Sequence, residues 1–149
     1  MDYEEAALFF MQTLKSTNRS KMMGNMNQYS KGENAVLAQL FHHDQEEIAP
    51  SDLSKCTHTS TARVASILNS LEEKGFVTRE ISKEDRRKII VKITEAGKEE
   101  ALKNKKIILG NISTIFEKMG KEETEHFLRT FEKFVEHGST TKGVTNEHE

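Results

Sequence analysis

The segment from Leu71 to Glu99, LEEKGFVTREISKEDRRKIIVKITEAGKE, constrains the fold more than any other part of the chain. Gly75 suits the position just past a helix end, where the backbone turns left-handed. Val77, Arg79 and Ile81 then alternate with their neighbours. Ile89, Val91 and Ile93 alternate likewise with Lys88, Ile90 and Lys92, which is the period of two expected of a β-strand. Between the two runs lies an unbroken charged stretch, Lys83, Glu84, Asp85, Arg86, Arg87 and Lys88, the natural tip of a hairpin. Thr94 is placed to cap a following helix. A basic hairpin joined directly to a helix can straddle the phosphate wall of a nucleic-acid groove.

Charge distribution points the same way. The 149-residue chain carries 22 Lys/Arg and 24 Asp/Glu, a formal charge of −2. From Ile48 to Thr94, nine basic residues face six acidic ones, so that block is +3 and the remainder is −5. Charges farther apart than about 10 Å are largely screened in 0.1 M salt, so the local patch matters more than the total. A basic block in an acidic frame suits contact with a polyanion. The single proline, eight glycines and absent tryptophan favour helices over a β-sandwich. The length is that of one domain, or one domain with a helical extension. One cysteine excludes an internal disulfide. The opening, MDYEEAALFF, has neither the basic region nor the apolar run of a signal peptide. No stretch approaches the roughly 20 apolar residues of a membrane span, so a cytoplasmic location with no membrane partner is expected.

Helical patterns flank the hairpin. Asp2 can cap a first helix running to about Met26, with Ala6, Ala7, Phe9, Phe10, Leu14, Met22, Met23 and Met26 as apolar positions. A second helix is expected from about Lys31 to His42, burying Ala35, Val36, Leu37 and Leu40. After a polar loop, Pro50 suits the first position of a short helix to Cys56, with Leu53 and Cys56 inward. Thr57, His58 and Thr59 form a turn. Thr59 or Ser60 caps a longer helix with Val64, Ile67, Leu68 and Leu71 on one stripe. Ser66, Asn69, Ser70 and Glu73 fall opposite, with Arg63 on the flank. Beyond the hairpin, Ile108, Ile112, Ile115 and Met119 mark a long helix that Gly120 breaks. A last helix carries Phe127, Phe131, Phe134 and Val135, and a polar tail begins at Gly138.

This order of elements resembles the MarR family of winged helix-turn-helix regulators, over roughly Lys31 to Met119. The run from Asp52 to Val77, DLSKCTHTSTARVASILNSLEEKGFV, is similar in spacing to the family's helix, turn and recognition helix. The run from Ser82 to Glu99 is similar to its wing, with Asp85-Arg86-Arg87 before the strand and Ile93-Thr94-Glu95-Ala96-Gly97 after it. Two departures fall in the turn: His58 stands where glycine is common, and Thr57 where a larger apolar residue usually packs. Cys56 is expected to supply part of that contact.

The resemblance implies a mainly α fold with a small antiparallel β-hairpin, made of a winged helix-turn-helix lobe and a helical dimerisation layer. Residues 1–30 would supply the first helix of that layer, 31–94 the DNA-binding lobe, 95–137 the C-terminal dimerisation helices and 138–149 a disordered tail. It implies a homodimer that represses transcription from double-stranded DNA and is released by a small amphipathic or phenolic ligand. The apolar stripes at both ends of the chain also lack a partner within a lone winged helix, which argues for a second subunit independently of the resemblance.

Expected DNA contacts are Thr59, Ser60, Thr61, Arg63 and Ser66 in the major groove. Arg86 and Arg87 would reach the minor groove and backbone, and Lys83 and Lys88 the phosphates. The resemblance further implies that Asp85 pairs with Arg87 and orders the tip. Thr59 and Ser60 serve equally well as caps, and a charged tip taken alone reads as a solvated turn. Met11, Met26, Tyr29 and Phe41 are candidate effector-pocket residues, although methionines and aromatics at helical spacing are more often core. His42, His43, Asp44, Glu46 and Glu47 cluster without any H-x-x-x-H or C-x-x-C pair, so neither a metal site nor another cofactor is expected. Cys56 reads as a buried, inert thiol. Alternatives are a metal- or redox-responsive regulator of the same fold, or a winged-helix protein-interaction module that binds no DNA. No phosphate loop or nucleophile–base constellation is present, so no enzyme is expected.

Overall fold

The computed structural model describes residues 1–15 and 32–141, which form six helices and one two-stranded hairpin. They are α1 (Tyr3–Lys15), α2 (Glu33–His42), α3 (Pro50–Thr57), α4 (Thr61–Glu73), β1 (Val77–Ile81), β2 (Ile89–Ile93), α5 (Glu95–Met119) and α6 (Lys121–Thr140). The chain divides into two compact units, Met1–Ile108 and Leu109–Glu149. No helix among the described residues is long and apolar enough to cross a membrane.

Helix starts follow the caps. Asp2 Oδ1 accepts from the Glu5 amide at 2.8 Å and Glu5 returns the bond to the Asp2 amide, a reciprocal capping box that begins α1. The expected continuation of this helix to Met26, with Met22 and Met23, lies outside the described residues. Pro50 opens α3, and Asp52 Oδ2 accepts from the Ala49 amide at 2.9 Å. Ser60 rather than Thr59 caps α4, its hydroxyl accepting from the Arg63 amide at 3.2 Å. Gly120 (φ +85) separates α5 from α6 as expected, but α6 runs on through Gly138, where the disordered tail is expected to begin, to Thr140.

The core of the first unit gathers Val36, Leu37 and Leu40 of α2, Leu53 of α3, and Val64, Ile67, Leu68 and Leu71 of α4. Val77, Val91 and Ile48 complete it from the hairpin side. The buried stripes of α2 and α4 are therefore those read from periodicity. Burying each leucine contributes about 1.5–3 kcal/mol relative to exposure. Polar contacts join the helices around this core. Ser70 Oγ and Lys74 Nζ, at 2.5 and 2.6 Å, both donate to Glu33 at the start of α2. Burial works to raise the Glu33 carboxyl. The hydrogen bonds from Lys74 and Ser70 and the lysine's charge outweigh it and hold the group below the usual carboxylate range. Ser70 thus faces α2 and not the outward face where the helical projection puts it. On α5, Asn104 donates to Asn34 at 2.5 Å, and Asp44 and then Glu95 hold the Lys98 ammonium above the ordinary lysine range.

The strands pair antiparallel with Val77 opposite Ile93, Arg79 opposite Val91 and Ile81 opposite Ile89. Their burial does not follow the expected period of two. Ile90 and Val91 are both buried, while Ile81 and Ile89 are exposed. The pattern breaks because Ile48 adds a third short bridge against Val91, its carbonyl accepting the Val91 amide at 2.8 Å, and because the outer pair extends beyond the core.

Helix α4 ends in a Schellman turn at Gly75 (φ +77): the Phe76 amide bonds the Leu71 carbonyl at 2.9 Å and the Gly75 amide the Glu72 carbonyl at 3.0 Å. Thr94 then joins this turn to α5. Its hydroxyl donates to the Gly75 carbonyl at 2.6 Å and accepts the Gly97 amide at 3.1 Å, and its own amide bonds the Phe76 carbonyl at 3.0 Å. Gly97 packs so tightly here that a Cβ would lie 2.1 Å from the Phe76 carbonyl oxygen and 2.8 Å from Ile93. The Thr-Glu-Ala-Gly sequence is thus a joint between the end of α4, the base of the hairpin and the start of α5. Gly97→Ala is expected to destabilise the protein by about 1–3 kcal/mol, the usual range for overpacking. Urea unfolding checks this, and an unchanged midpoint would refute the joint.

Candidate nucleic-acid interface

The turn before α4 decides how that helix is presented. Its α3 side closes with His58 in the left-handed region (φ 50, ψ 42), where the resembled family often has glycine. The strain is modest because histidine is among the residues enriched there. The Thr59 amide bonds the Ser54 carbonyl at 3.1 Å, Ser54 Oγ donates to the Thr59 carbonyl at 2.5 Å, and Thr59 Oγ1 donates to the Thr57 carbonyl at 3.1 Å. Thr57, not Cys56, points into the core, and its hydroxyl is satisfied by the Leu53 carbonyl at 2.7 Å. Cys56 is exposed, contrary to the sequence expectation. The short helix spans little more than two turns, and its inward positions are Leu53 and Thr57, four residues apart.

Helix α4 leaves its outward side open. Thr61, Arg63 and Ser66 are exposed there, as are Ala62, Ala65 and Asn69. The side chains of Thr59 and Ser60 are already engaged in the turn and the cap. Ala62 and Ala65 carry no polar group to mark them in the sequence, yet their small side chains leave room for a close approach. Arg79 of β1, in the sequence simply an alternating strand residue, reaches across to α4, bonding Glu72 at 3.0 Å and the Asn69 side-chain oxygen.

The hairpin tip is held from its base. Ser82 is only 2% exposed, and its hydroxyl donates to Glu47 Oε2 at 2.8 Å while accepting the amides of Glu84 and Asp85 at 3.2 Å each. Asp85 Oδ1 accepts the Arg87 backbone amide at 3.0 Å, and the Lys88 amide bonds the Asp85 carbonyl at 2.9 Å. Asp85 therefore orders the tip through the Arg87 backbone and not through its guanidinium. Lys83, Arg86, Arg87 and Lys88 are exposed. Among the described residues, neither they nor Arg63 make an ion pair. The tip has a fixed backbone and free cationic side chains. Glu47 carried no sequence signal for this role, because it lies 35 residues before its partner.

The other candidate residues do not converge. Met11 and Phe41 are exposed large hydrophobics, and Met26 and Tyr29 lie outside the described residues. His43 pairs with Glu46 at 3.1 Å, and a shallow cavity of about 130 Å³ is lined by His43, Glu46, Glu47, Asp52 and Cys56 among others. Among the described residues, no three His, Cys, Asp or Glu side chains are placed to hold a metal ion.

Helix, left-handed turn, outward-facing helix and basic hairpin are the parts of a winged helix. The profile of the winged helix DNA-binding domain matches residues 33–113, more than half of the chain. The chain belongs to the winged helix DNA-binding domain family. The HTH-type transcriptional repressor YetL of Bacillus subtilis is 28% identical over 113 residues, covering 76% of this chain and 68% of that protein. Streptococcus pneumoniae FabT, solved in complex with DNA, superimposes with a TM-score of 0.65 at 20% identity, covering 95% of this chain and 100% of that one. Staphylococcus aureus MepR, a transcription regulator of the multidrug efflux pump MepA, gives a TM-score of 0.66 at 19% identity, covering 91% of this chain and 98% of that one. These likenesses agree with the MarR-type resemblance read from the sequence, and the protein is a DNA-binding transcriptional regulator of winged-helix type.

Exposure of Cys56 has a direct consequence. The thiol is expected to react with a small disulfide reagent in the native protein, in a single fast phase. Labelling seen only after denaturant is added would contradict its placement.

Proposed function

We propose that the protein is a homodimeric, sequence-specific repressor that occupies a pseudo-palindromic operator and leaves it when a small amphipathic or phenolic ligand binds. The observation that carries the DNA reading is the fixed hairpin tip with its unpaired cations beside the open face of α4. In this reading Thr61, Arg63 and Ser66 enter the major groove, while Thr59 and Ser60 set the helix start against the backbone. Arg86 and Arg87 take the minor groove and flanking phosphates, Lys83 and Lys88 add phosphate contacts, and Asp85 keeps the tip in one conformation. A tip already ordered loses less entropy on binding.

Two subunits are supported by apolar surface that the protomer leaves uncovered. On α1, Leu8 and Phe9 are exposed, and on α6, Phe127, Leu128, Phe131 and Val135 are exposed. Phe127 and Phe131 stack at 5.6 Å, forming a continuous aromatic ridge. Contiguous apolar surface of this kind marks an association site. A two-fold dimer would set two copies of α4 about one turn of duplex, roughly 34 Å, apart. Repression is supported by the name of the Bacillus subtilis relative, and release by a ligand rests on the family resemblance.

Two measurements test the reading. Replacing Arg86 and Arg87 by Ala is expected to weaken binding to a duplex recovered by selection from a random pool. It should also flatten the dependence of log K on log salt by about 0.9 for each phosphate no longer neutralised. An unchanged slope would remove the hairpin from the interface. Phe131→Glu is expected to yield monomers in sedimentation equilibrium and to abolish binding to an inverted repeat. A variant that stays dimeric would exclude the α6 ridge from the subunit interface.

A further inference from the structure

We propose that Asn69 contacts DNA as a hydrogen-bond donor, and that Arg79 is the positioning residue that restricts it to that role. The inference rests on the DNA reading above. Asn69 lies seven residues after Ala62 and three after Ser66, on the outward stripe of α4 and about 4.5 Å farther along the helix than Ser66. All three residues are exposed.

Arg79 projects from β1 onto this same helix. Its Nη2 donates to Asn69 Oδ1, and its Nε donates to Glu72 at 3.0 Å. A guanidinium carries only donors, so the asparagine must turn its oxygen toward Arg79 and its NH₂ group away. An unrestrained asparagine can offer both groups and pair bidentately with adenine, accepting from N6 and donating to N7. With its oxygen turned toward Arg79, Asn69 presents its NH₂ group on the side away from the guanidinium. It therefore seeks an acceptor, either a phosphate oxygen or a base-edge acceptor: N7 of guanine or adenine, O6 of guanine or O4 of thymine. Arg79 has a second effect at the same place. It neutralises Glu72, whose carboxylate would otherwise repel an approaching phosphate.

The test uses the full-length protein, the duplex recovered by random-pool selection and a panel of its single-base-pair variants. Asn69→Ala is expected to weaken binding roughly three- to tenfold, the worth of one hydrogen bond, without changing the salt slope. A loss that is equal on every duplex assigns the acceptor to a phosphate. A loss confined to one base-pair position assigns it to a base edge. Arg79→Met, verified as folded by thermal melting, releases the Asn69 oxygen. It is expected to weaken binding uniformly in the phosphate case and, in the base-edge case, to shift preference toward adenine, whose N6 can then donate to the freed oxygen while N7 accepts from the NH₂ group. If Arg79→Met does not fold, Arg79→Lys serves instead, since it keeps the charge beside Glu72 but loses the two-pronged hold. Binding by Asn69→Ala equal to that of the parent on all duplexes would overturn the proposal. So would an Arg79 variant whose affinity and base preference match the parent. Failure of the DNA reading itself is separately visible, since the parent protein would then retain no duplex in the random-pool selection.

Discussion

The close approach of α5 to the turn after α4 is the interaction on which the rest of the lobe depends. Gly97 lets the helix backbone settle against the Phe76 carbonyl, and Thr94 bonds both the Gly75 carbonyl and the Gly97 amide. Three elements are thereby set at one point: the end of α4, the open end of the hairpin and the first turn of α5. A side chain at position 97 would push them apart. Because interiors are close-packed, such a displacement would carry into α4 and the hairpin and not be absorbed locally.

From that joint outward, the hairpin is attached twice more. Arg79 ties its base to α4, and the buried hydroxyl of Ser82 ties its distal end to Glu47. Both attachments use charged or polar groups at the margin of the core, where the hydrophobic cluster no longer reaches. They leave the tip cations out of the internal network. A winged helix needs this division, since a tip held by its own ion pairs would have to break them before meeting phosphate.

The acidic remainder of the chain plays a different part. Some of its carboxylates sit in internal pairs, Glu33 with Lys74 and Asp44 with Lys98 among them. Arg63 and the wing cations have no such partner among the described residues. The net charge of the chain thus says little about its partner, while the distribution of paired and unpaired groups says much. The apolar ridges of α1 and α6 point in the same way to a second subunit, since their side chains stay open to solvent in the protomer.

Periodicity alone determined the buried apolar stripes of α2 and α4. Val64, Ile67, Leu68 and Leu71 line the core because residues three and four apart share a side of a helix, a rule that needs no tertiary context. The position of Gly75, the cap at Thr94 and the charged tip between two strands were legible for the same local reason. Where an element is short or its cover comes from far away, local rules fail. Cys56 and Thr57 exchanged their expected roles because an eight-residue helix gives too few positions to fix its inward side. Ile81 and Ile89 stayed exposed while Ile90 was buried, because cover for the strands comes from Ile48 and the core and ends before the tip. The Ser82–Glu47 bond and the hold of Arg79 on Asn69 join residues whose proximity only the folded backbone creates. The sequence by itself determined a helix-turn-helix with a basic hairpin. Tertiary structure decided how the hairpin is fastened, which cations stay free and which way Asn69 faces, since those depend on side chains meeting across elements and not along them.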